Sequence, residues 1–194
     1  MRNLKKQKGF ALPVSLMLLV VMTLMGAALV SMTSSDMSSN NNRDNSSQAF
    51  YAAESGIAHA KRWMRNPVNV TTLNTKPTQS LNNNTLRWCR TNFLPNFNGN
   101  KAFVVIRKTL SEMFVGQTGA GETSRYKGFS FEYFITYAPD KNGNINLNSP
   151  KKKPGTNKTY YSIYSCGCDN RKINCDNTKD KVVSLEAIVT ISSQ

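Results

Sequence analysis

The sequence predicts an α+β protein in which a long N-terminal α-helix, apolar in its first half and amphipathic in its second, packs on a C-terminal antiparallel β-sheet. Three patterns carry this prediction. Residues 9 to 35 contain no charged side chain and are dominated by Leu, Val, Met and Ala. Apolar residues then recur at spacings of three and four as far as residue 64, which is the period of an amphipathic helix. Beyond residue 101 the chain holds four short runs rich in β-branched and aromatic residues.

The apolar run from Phe10 to Met32 is long enough to span a membrane. As an α-helix it extends about 35 Å, slightly more than the roughly 30 Å of hydrocarbon in a bilayer. The residues before it are basic, with Arg2, Lys5, Lys6 and Lys8 and no acid. The positive-inside rule therefore keeps the N-terminus in the cytoplasm and sends the C-terminal part across the membrane. A cleaved secretory signal is the alternative, because Gly26 and Ala28 have the spacing of a signal-peptidase site before Leu29.

Pro13 favours a different cleavage point. Inside a helix a proline has no N–H to donate, and its ring clashes with the carbonyl four residues earlier, here that of Gly9. Cleavage between Gly9 and Phe10 would remove that carbonyl. Pro13 would then lie in the first helical turn, where the N–H groups lack partners in any case. The sequence thus predicts processing after Gly9.

Lys8, Gly9 and Phe10, followed by the apolar run, resemble the class III signal of type IV pilins. A second block, residues 48 to 57 (Gln-Ala-Phe-Tyr-Ala-Ala-Glu-Ser-Gly-Ile), is similar to the region that follows the membrane segment in PilX-type minor pilins. The resemblance covers residues 1 to about 65. It departs from the family at one position, because most pilins carry glutamate where this chain has Val14.

The resemblance implies a pilin-like fold and a defined cellular route. A prepilin peptidase would cleave after Gly9, recognising Lys8 and the residues around it, and would N-methylate Phe10. The protein would lie in the bacterial inner membrane as a single-pass subunit with a cytoplasmic N-terminus and a periplasmic head, and later in the pilus at the cell surface. The implied partners are other minor pilins, the major pilin, the prepilin peptidase and the inner-membrane assembly platform.

The chain accordingly divides into three expected parts: a cleaved leader 1–9, a helix 10–66 with its membrane and filament-core half at 10–32, and a globular head 67–194. Twelve Ser, Thr or Asn residues fall between Ser31 and Gln48, and they predict a bend or local melting of the helix. The amphipathic stripe that follows consists of Phe50, Ala53, Ile57, Ala60 and Met64. Asn66 and Pro67 end the helix, because the residue before a proline is pushed out of the α region.

The head is expected to begin with a long loop and continue as a sheet. Residues 67–101 are rich in Asn, Thr and Pro, with one short ordered piece at Leu86–Cys89 and with Trp88 and Phe93 packed under the head. The sheet occupies residues 102–194. Its four expected strands are Ala102–Leu110, Phe129–Ala138, Thr159–Cys166 and Val182–Ser192.

Four cysteines, all in the exported part, indicate disulfides rather than redox chemistry. Cys166 and Cys168 are too close along the chain to pair without strain, which leaves Cys89 to one of them and Cys175 to the other. Alternation and loop length favour Cys168–Cys175 with Cys89–Cys166. A zinc site built from the four thiols matches no common ligand spacing, so neither a metal nor another cofactor is expected.

The net charge is +14, or +10 without the leader's four basic residues (25 − 4 − 11). The first interpretation is an ordinary solvated surface, and attraction of the head to phosphate backbones or anionic cell surfaces is the second. The lysines are scattered, however, and only Lys151, Lys152 and Lys153 form a cluster. We therefore expect at most weak, salt-sensitive contact with nucleic acid or a cell surface.

No enzyme is expected. The one histidine, His59, lies on the helix, and no nucleophile motif or paired carboxylates stand out. Residues 116–123 have the spacing of a phosphate-binding loop, but Glu122 replaces the required lysine, which favours a glycine-rich connection. The first alternate ligand positions of a calcium-binding loop are matched by Asp140, Asn142 and Asn144. Lys151, however, stands where the bidentate glutamate is needed, which favours a turn between strands.

The leading hypothesis is a structural one: a minor pilin that helps to initiate or decorates a type IV pilus. A minor pseudopilin of a type II secretion system is a second, although the subunits of that system that lack the glutamate usually carry a larger inserted domain. An adhesin or DNA-uptake subunit with a basic head is a third. A secreted soluble protein with an ordinary signal is a fourth, and the N-terminal residue of the mature protein distinguishes it from the others.

Overall fold

The computed structural model describes residues 11–97, 99–113, 119–169, 175 and 182–192. The contacts divide the chain between Asp44 and Asn45 into two units. In the described residues, the first unit is a stretch of helix. The second contains the end of that helix together with the sheet and the segments that cover it. The architecture is the predicted α+β one, in which the long N-terminal helix packs on a C-terminal antiparallel sheet.

Helix α1 covers Ala11–Arg65, a length of 55 residues. The predicted local melting between Ser31 and Gln48 is not observed, because the whole stretch is α-helical. Hydroxyl side chains here bond to the helix itself rather than opening it: Thr33 Oγ1 donates to the Leu29 carbonyl oxygen at 2.8 Å. This type of bond satisfies the hydroxyl without removing a backbone partner from the ladder.

The segment after α1 is more ordered than the long loop expected for it. Asn66 and Pro67 end α1 but also begin α2 (Pro67–Leu73), because proline is tolerated in the first turn and the Asn66 side chain accepts from the Val68 N–H at 3.1 Å. Two short strands, β1 (Gln79–Ser80) and β2 (Lys101–Ala102), pair with each other. Between them lies α3 (Arg90–Phe97). Trp88 is buried and Phe93 packs against the same cluster, as expected.

The main sheet has four antiparallel strands in the order β3-β4-β5-β6. They are β3 (Val104–Thr109), β4 (Phe129–Tyr137), β5 (Lys158–Asp169) and β6 (Val182–Ser192). Each lies within or close to a strand predicted from the sequence, and β5 runs on past Cys166. Two short helices, α4 (Leu110–Met113) and α5 (Ala120–Tyr126), lie between β3 and β4.

The central strands are covered on both faces, because successive side chains of a strand point to opposite sides. Phe131, Tyr133 and Ile163 belong to the cluster that contains buried residues of α1. Phe134 and Tyr164 belong to a second cluster with Trp88 and Phe97. Strand β4 is accordingly buried at every position, although Ser130, Glu132 and Thr136 are polar and lie on the second face with Phe134.

Helix α1 contacts the sheet mainly through small residues. Its buried positions in the head are Ala49, Ala52, Ala53, Gly56, Ala60 and Met64. The predicted stripe is correct at Ala53, Ala60 and Met64 but wrong at Phe50, which is 42% exposed. Hydrophobicity alone placed Phe50 in the buried stripe, whereas the gap between helix and sheet is narrow and accommodates alanine.

Gly167 in β5 marks the closest approach of helix and sheet. A Cβ atom at this position would clash with two backbone atoms of α1, the Ala49 carbonyl oxygen and the Ala53 nitrogen. On the facing helix, a Cβ at Gly56 would clash with Ser165 Oγ. That hydroxyl in turn donates to the Ala53 carbonyl oxygen at 2.8 Å. The helix and β5 therefore meet backbone to backbone, without an intervening layer of side chains.

Glu132 in β4 is a charged residue at the centre of the second face, and its side chain is fully buried. Its carboxylate accepts from the backbone N–H groups of Arg87, Trp88 and Cys89 at 2.7 to 3.1 Å. It also forms an ion pair with Arg107 of β3, with an Nη2–Oε1 distance of 2.8 Å. Charge-assisted hydrogen bonds of this kind offset the cost of burying the carboxylate. The carboxylate fixes the segment before α3 to the sheet.

We predict that Gly167→Ala destabilises the head by about 1 to 3 kcal/mol, the usual cost of overpacking a rigid site. The rigid neighbours are helix backbone, so no side chain can move aside. Urea unfolding of the full chain in detergent, followed by tryptophan fluorescence, measures the change. Gly119→Ala is the control, because a Cβ there meets nothing within 4 Å. Equal stability of the two variants would contradict the close-approach interpretation.

We also predict that Glu132→Gln lowers the free energy of unfolding by about 3 kcal/mol, since removing one member of a buried, hydrogen-bonded ion pair leaves its partners unsatisfied. The same unfolding assay applies. Glu54→Gln, at an exposed position of α1, removes the same charge and should change stability by no more than about 0.5 kcal/mol. A loss at Glu132 no greater than that at Glu54 would show that the carboxylate is not needed.

Candidate functional site

The N-terminal half of α1 exposes apolar side chains around its whole circumference. The large apolar residues between Leu12 and Met32 are each 45% to 73% exposed. The polar residues among them are internally satisfied: Ser15 Oγ donates to the Leu12 carbonyl oxygen at 2.9 Å and Thr23 Oγ1 to that of Val20 at 2.8 Å. Within the described residues, this is the one helix long and apolar enough to cross a membrane. Such a surface suits lipid or other apolar helices.

The predicted processing residues, Lys8, Gly9 and Phe10, lie outside the described part of the chain. Val14 lies within it, on α1, and is 45% exposed. Further along, a Cβ at Gly26 would meet nothing within 4 Å. Gly26, Ala27 and Ala28 thus form a patch of small residues where another helix can approach closely.

The four cysteines form two disulfides, in the pairing that loop length favours. Cys89 bonds to Cys166 across 77 residues, with the Cα atoms 5.4 Å apart. Cys168 bonds to Cys175 across seven residues, with the Cα atoms 6.3 Å apart. The first bond joins the segment before α3 to β5 next to the Glu132 network, since the Cys89 N–H donates to Glu132 Oε2 at 2.7 Å. The disulfides therefore brace the second face of the sheet.

His59 serves as a contact between helix and sheet. Its Nδ1 atom lies 2.9 Å from the Tyr133 hydroxyl oxygen. Burial, with the cations Lys108 and Arg62 nearby, lowers the pKa of His59, and burial raises the pKa of Tyr133. Both side chains are thus neutral at physiological pH, and the imidazole tautomer sets which of the two donates. This hydrogen bond links α1 to β4.

Other buried tyrosines have the same structural role. The Tyr161 hydroxyl donates to the Leu73 carbonyl oxygen at 3.1 Å, which ties α2 to the sheet. Burial raises the pKa of Tyr161 to about 12, and burial also raises that of Tyr164. These hydroxyls remain protonated at physiological pH and act as hydrogen-bond donors.

The two motifs that imitate ligand sites form local structure. Asp140 Oδ1 accepts from the N–H groups of Asn142 at 2.8 Å and Asn144 at 2.9 Å, so the carboxylate caps its own turn. Residues 116–118 of the glycine-rich run are outside the described chain, and α5 follows them, a helix that the sequence did not predict. Among the described residues, no group of three or more His, Cys, Asp or Glu side chains is placed to hold a metal ion.

The lysine cluster is more compact than the sequence suggests. Lys151–Lys153 is an extended segment beside the start of β5, because the Tyr160 N–H donates to the Lys151 carbonyl at 2.9 Å and the Lys153 N–H to the Lys158 carbonyl at 2.8 Å. Lys158 thereby joins the other three, and all four are exposed. Lys151 also lies over the Tyr160 ring, with 5.7 Å from Nζ to the ring centroid.

Two functional positions were missed by sequence reasoning, Gly167 and Glu132. The available signals were a glycine between two cysteines in a strand and a lone acid in an aromatic strand. Glycine and a lone acid are both unfavourable in a buried strand, so their presence there indicates a close backbone approach or a polar partner.

Comparison with known proteins agrees with the N-terminal part of this structure. A family model described as PilX N-terminal matches residues 8–58, which include the Lys8-Gly9-Phe10 junction, the apolar half of α1 and the Ala-rich helix face that contacts the sheet. No curated protein and no solved structure matches the chain. The match covers 51 of the 194 residues and shows that this chain carries a PilX-type pilin N-terminal region.

Proposed function

We propose that this chain is a minor pilin, a structural subunit that helps to initiate the assembly of a type IV pilus or decorates it. The observation that carries the proposal is the PilX-type match over residues 8–58 on a helix whose apolar half is exposed all round. A helix of that kind is suited to moving from a bilayer into a bundle of similar helices.

The proposed route follows the chain from its N-terminus. Residues 1–9 are a leader that keeps the N-terminus cytoplasmic, and a prepilin peptidase removes it after Gly9 and methylates Phe10. Residues 10–32 hold the subunit in the inner membrane and later enter the filament core, with the remainder of the helix to residue 66 supporting the head. The head, residues 67–194, faces the periplasm and then the cell surface. The proposed partners are other minor pilins, the major pilin and the assembly platform, reached through the helix.

Val14 supports a position at or near the start of the filament. In pilins, the glutamate usually found at this position is thought to pair with the N-terminal amine of a neighbour already in the fibre, which offsets the cost of a carboxylate in the membrane. Valine makes no such pair and carries no such cost. A first subunit has no earlier neighbour to dock onto, whereas a shaft subunit without the acid would lose an alignment contact.

The four clustered lysines favour a second candidate function, an adhesin or DNA-uptake subunit. Exposed lysines on a structured segment can neutralise phosphates and make binding depend on salt. They provide no base-reading element and no row of exposed aromatic rings for stacking, so contact with nucleic acid through them would be weak. A secretion-system pseudopilin shares the Val14 argument and is the remaining alternative.

Gly9→Val is expected to block maturation and leave a full-length precursor in the membrane. The reason is that the peptidase needs a small residue before the cut, and the Lys8-Gly9-Phe10 junction places the cut there. Mass spectrometry of the mature N-terminus provides the measurement. Gly26→Val, a matched change inside the apolar run, should still yield a chain that starts at Phe10. A wild-type chain that starts at Leu29 would refute the assignment.

Deletion of the subunit is expected to reduce the number of surface pili sharply, because a filament without its initiating complex rarely starts. Gold labelling of the head on isolated pili should mark filament ends or rare sites. Electron microscopy checks both outcomes, with complementation by the wild-type chain as the control. Continuous labelling along the shaft, or normal piliation without the protein, would refute the initiating role.

A further inference from the structure

Strand β6 forms one edge of the main sheet, and no strand in the described residues pairs with its outer side. It pairs with β5 in unbroken register from Val182 to Ser192, so the edge has no bulge. Exposed edges of this length usually carry a proline, a lysine, a bulge or a covering segment that prevents pairing with other chains. Strand β6 contains neither proline nor lysine, and its only charged residue is Glu186.

The opposite edge, β3, shows how this same sheet protects an edge. Strand β3 has six residues and carries Arg107 and Lys108. Its Val105 N–H donates to the side-chain oxygen of Gln79 at 3.0 Å, so part of this edge is already occupied. The contrast indicates that β6, nearly twice as long and uncharged except at Glu186, is an edge kept available for pairing.

The register shows which backbone groups of β6 face outward. Tyr160, which lies opposite Thr190, accepts from the Ala138 N–H at 3.1 Å and donates to the Lys151 carbonyl at 2.9 Å. Both of its backbone groups therefore point away from β6. Directly opposed residues of an antiparallel pair share this orientation, so the N–H and C=O of Thr190 point to the free edge. Backbone orientation repeats every two residues along a strand, so the N–H and C=O groups of Ser184, Glu186 and Ile188 also point to the free edge.

At one end of this edge a backbone group already forms a hydrogen bond, which agrees with the assignment of outward-facing groups. The Val182 carbonyl oxygen, in phase with Ser184, accepts from Asn92 Nδ2 of α3 at 3.5 Å. From Ser184 onward, the residues whose backbone groups face the free edge have exposed side chains, and that of Ile188 is 61% exposed. A stretch of seven residues, 184 to 190, is therefore left with an outward row of donors and acceptors.

The helix side of the same edge is a groove of mixed character. Lys61, Met64 and Arg65 of α1 line it together with Val189, Thr190 and Ile191 of β6. Val189 and Ile191 are only half-buried against the core. Lys61 and Arg65 are exposed, and no acidic side chain in the described part of the chain pairs with either. The groove therefore offers apolar contact and two positive charges beside a row of backbone groups.

We propose that β6 receives an extended segment of a partner protein as a fifth strand of the sheet. The backbone row provides the hydrogen bonds, and the groove selects the side chains: apolar residues at alternate positions and an acidic residue facing Lys61 and Arg65. The partner is another exported subunit of the same assembly, and in this respect the inference rests on the proposed function.

A second copy of the chain fits this edge less well. In an antiparallel pairing of two β6 strands, each copy would present Val183, Leu185, Ala187, Val189 and Ile191 on the helix side and its one acid, Glu186, on the other. No carboxylate would reach Lys61 or Arg65.

Ile188→Pro is the variant that tests the proposal. It removes one outward N–H while leaving the β5–β6 ladder intact, because the Ile188 N–H points away from β5 and proline is tolerated at such edge positions. Ile188→Thr is the matched control, since it removes the apolar side chain but keeps the N–H. Unfolding of both full-length variants in detergent verifies that the head is folded.

The readout is photo-crosslinking in cells from a benzophenone amino acid placed at Ser184 or at Thr190, followed by mapping of the crosslinked peptides. We expect both positions to react with one segment of one partner, at sites six residues apart, as the strand register requires. Ile188→Pro should lower the adduct yield at least tenfold and Ile188→Thr less than twofold. Lys61→Glu combined with Arg65→Glu should also lower the yield.

Four results would overturn the proposal: no adduct from either position, adducts scattered over unrelated segments, adducts chiefly with a second copy of this chain, or a yield that Ile188→Pro leaves unchanged in a folded head. Its failure is distinguishable from that of the proposed function. Register-matched adducts in cells whose piliation does not depend on this protein would refute the pilus role and retain the fifth strand. Loss of pili on deletion, with no adduct, would retain the pilus role and refute the fifth strand.

Discussion

The head depends on one contact, the place where the backbone of α1 lies directly on β5 at Gly167. Because no side chain separates the two elements, the helix face there must be small, and Ala49 and Ala53 meet that requirement. The Ser165 hydroxyl then reaches the Ala53 carbonyl and adds a polar link to the seam. Larger residues, Met64 among them, fill the wider part of the same interface. The spacing set at one glycine thus determines which side chains fit along the rest of the helix.

The opposite face of the sheet is organised around a charge. Glu132 collects backbone N–H groups from the segment before α3 and the guanidinium of Arg107, while the disulfide from Cys89 to Cys166 fixes the same segment covalently. A carboxylate with several donors is directional in a way that apolar packing is not, so it specifies where the covering segment lies. This coverage on both faces leaves β6 as the sheet margin on which a new strand could be added.

Much of this structure could be predicted from local patterns, and the remainder depended on distant residues. The four main strands were predictable because each is a β-branched or aromatic run between turn residues. The ordered structure of residues 67–101 was not predictable, because Asn66 and Pro67 end one helix and also begin the next. Phe50 was misplaced because hydrophobicity says nothing about the width of a gap set by Gly167. The partners of Glu132 lie more than twenty residues away in sequence, and no local rule identifies them. The Lys8-Gly9-Phe10 assignment rests on sequence resemblance and stays a prediction.

The all-round exposure of apolar side chains between Leu12 and Met32 has an energetic consequence. Lipid tails and neighbouring apolar helices solvate such a surface about equally well, so exchanging one for the other changes the hydrophobic free energy little. The choice between lipid and neighbouring helices therefore depends on smaller free-energy contributions, from helix packing at sites such as Gly26 and from contacts between heads. In the proposed function, such a subunit could be withdrawn from a filament into the bilayer without exposing its apolar surface to water, so growth and dissolution of the fibre would be thermodynamically close alternatives.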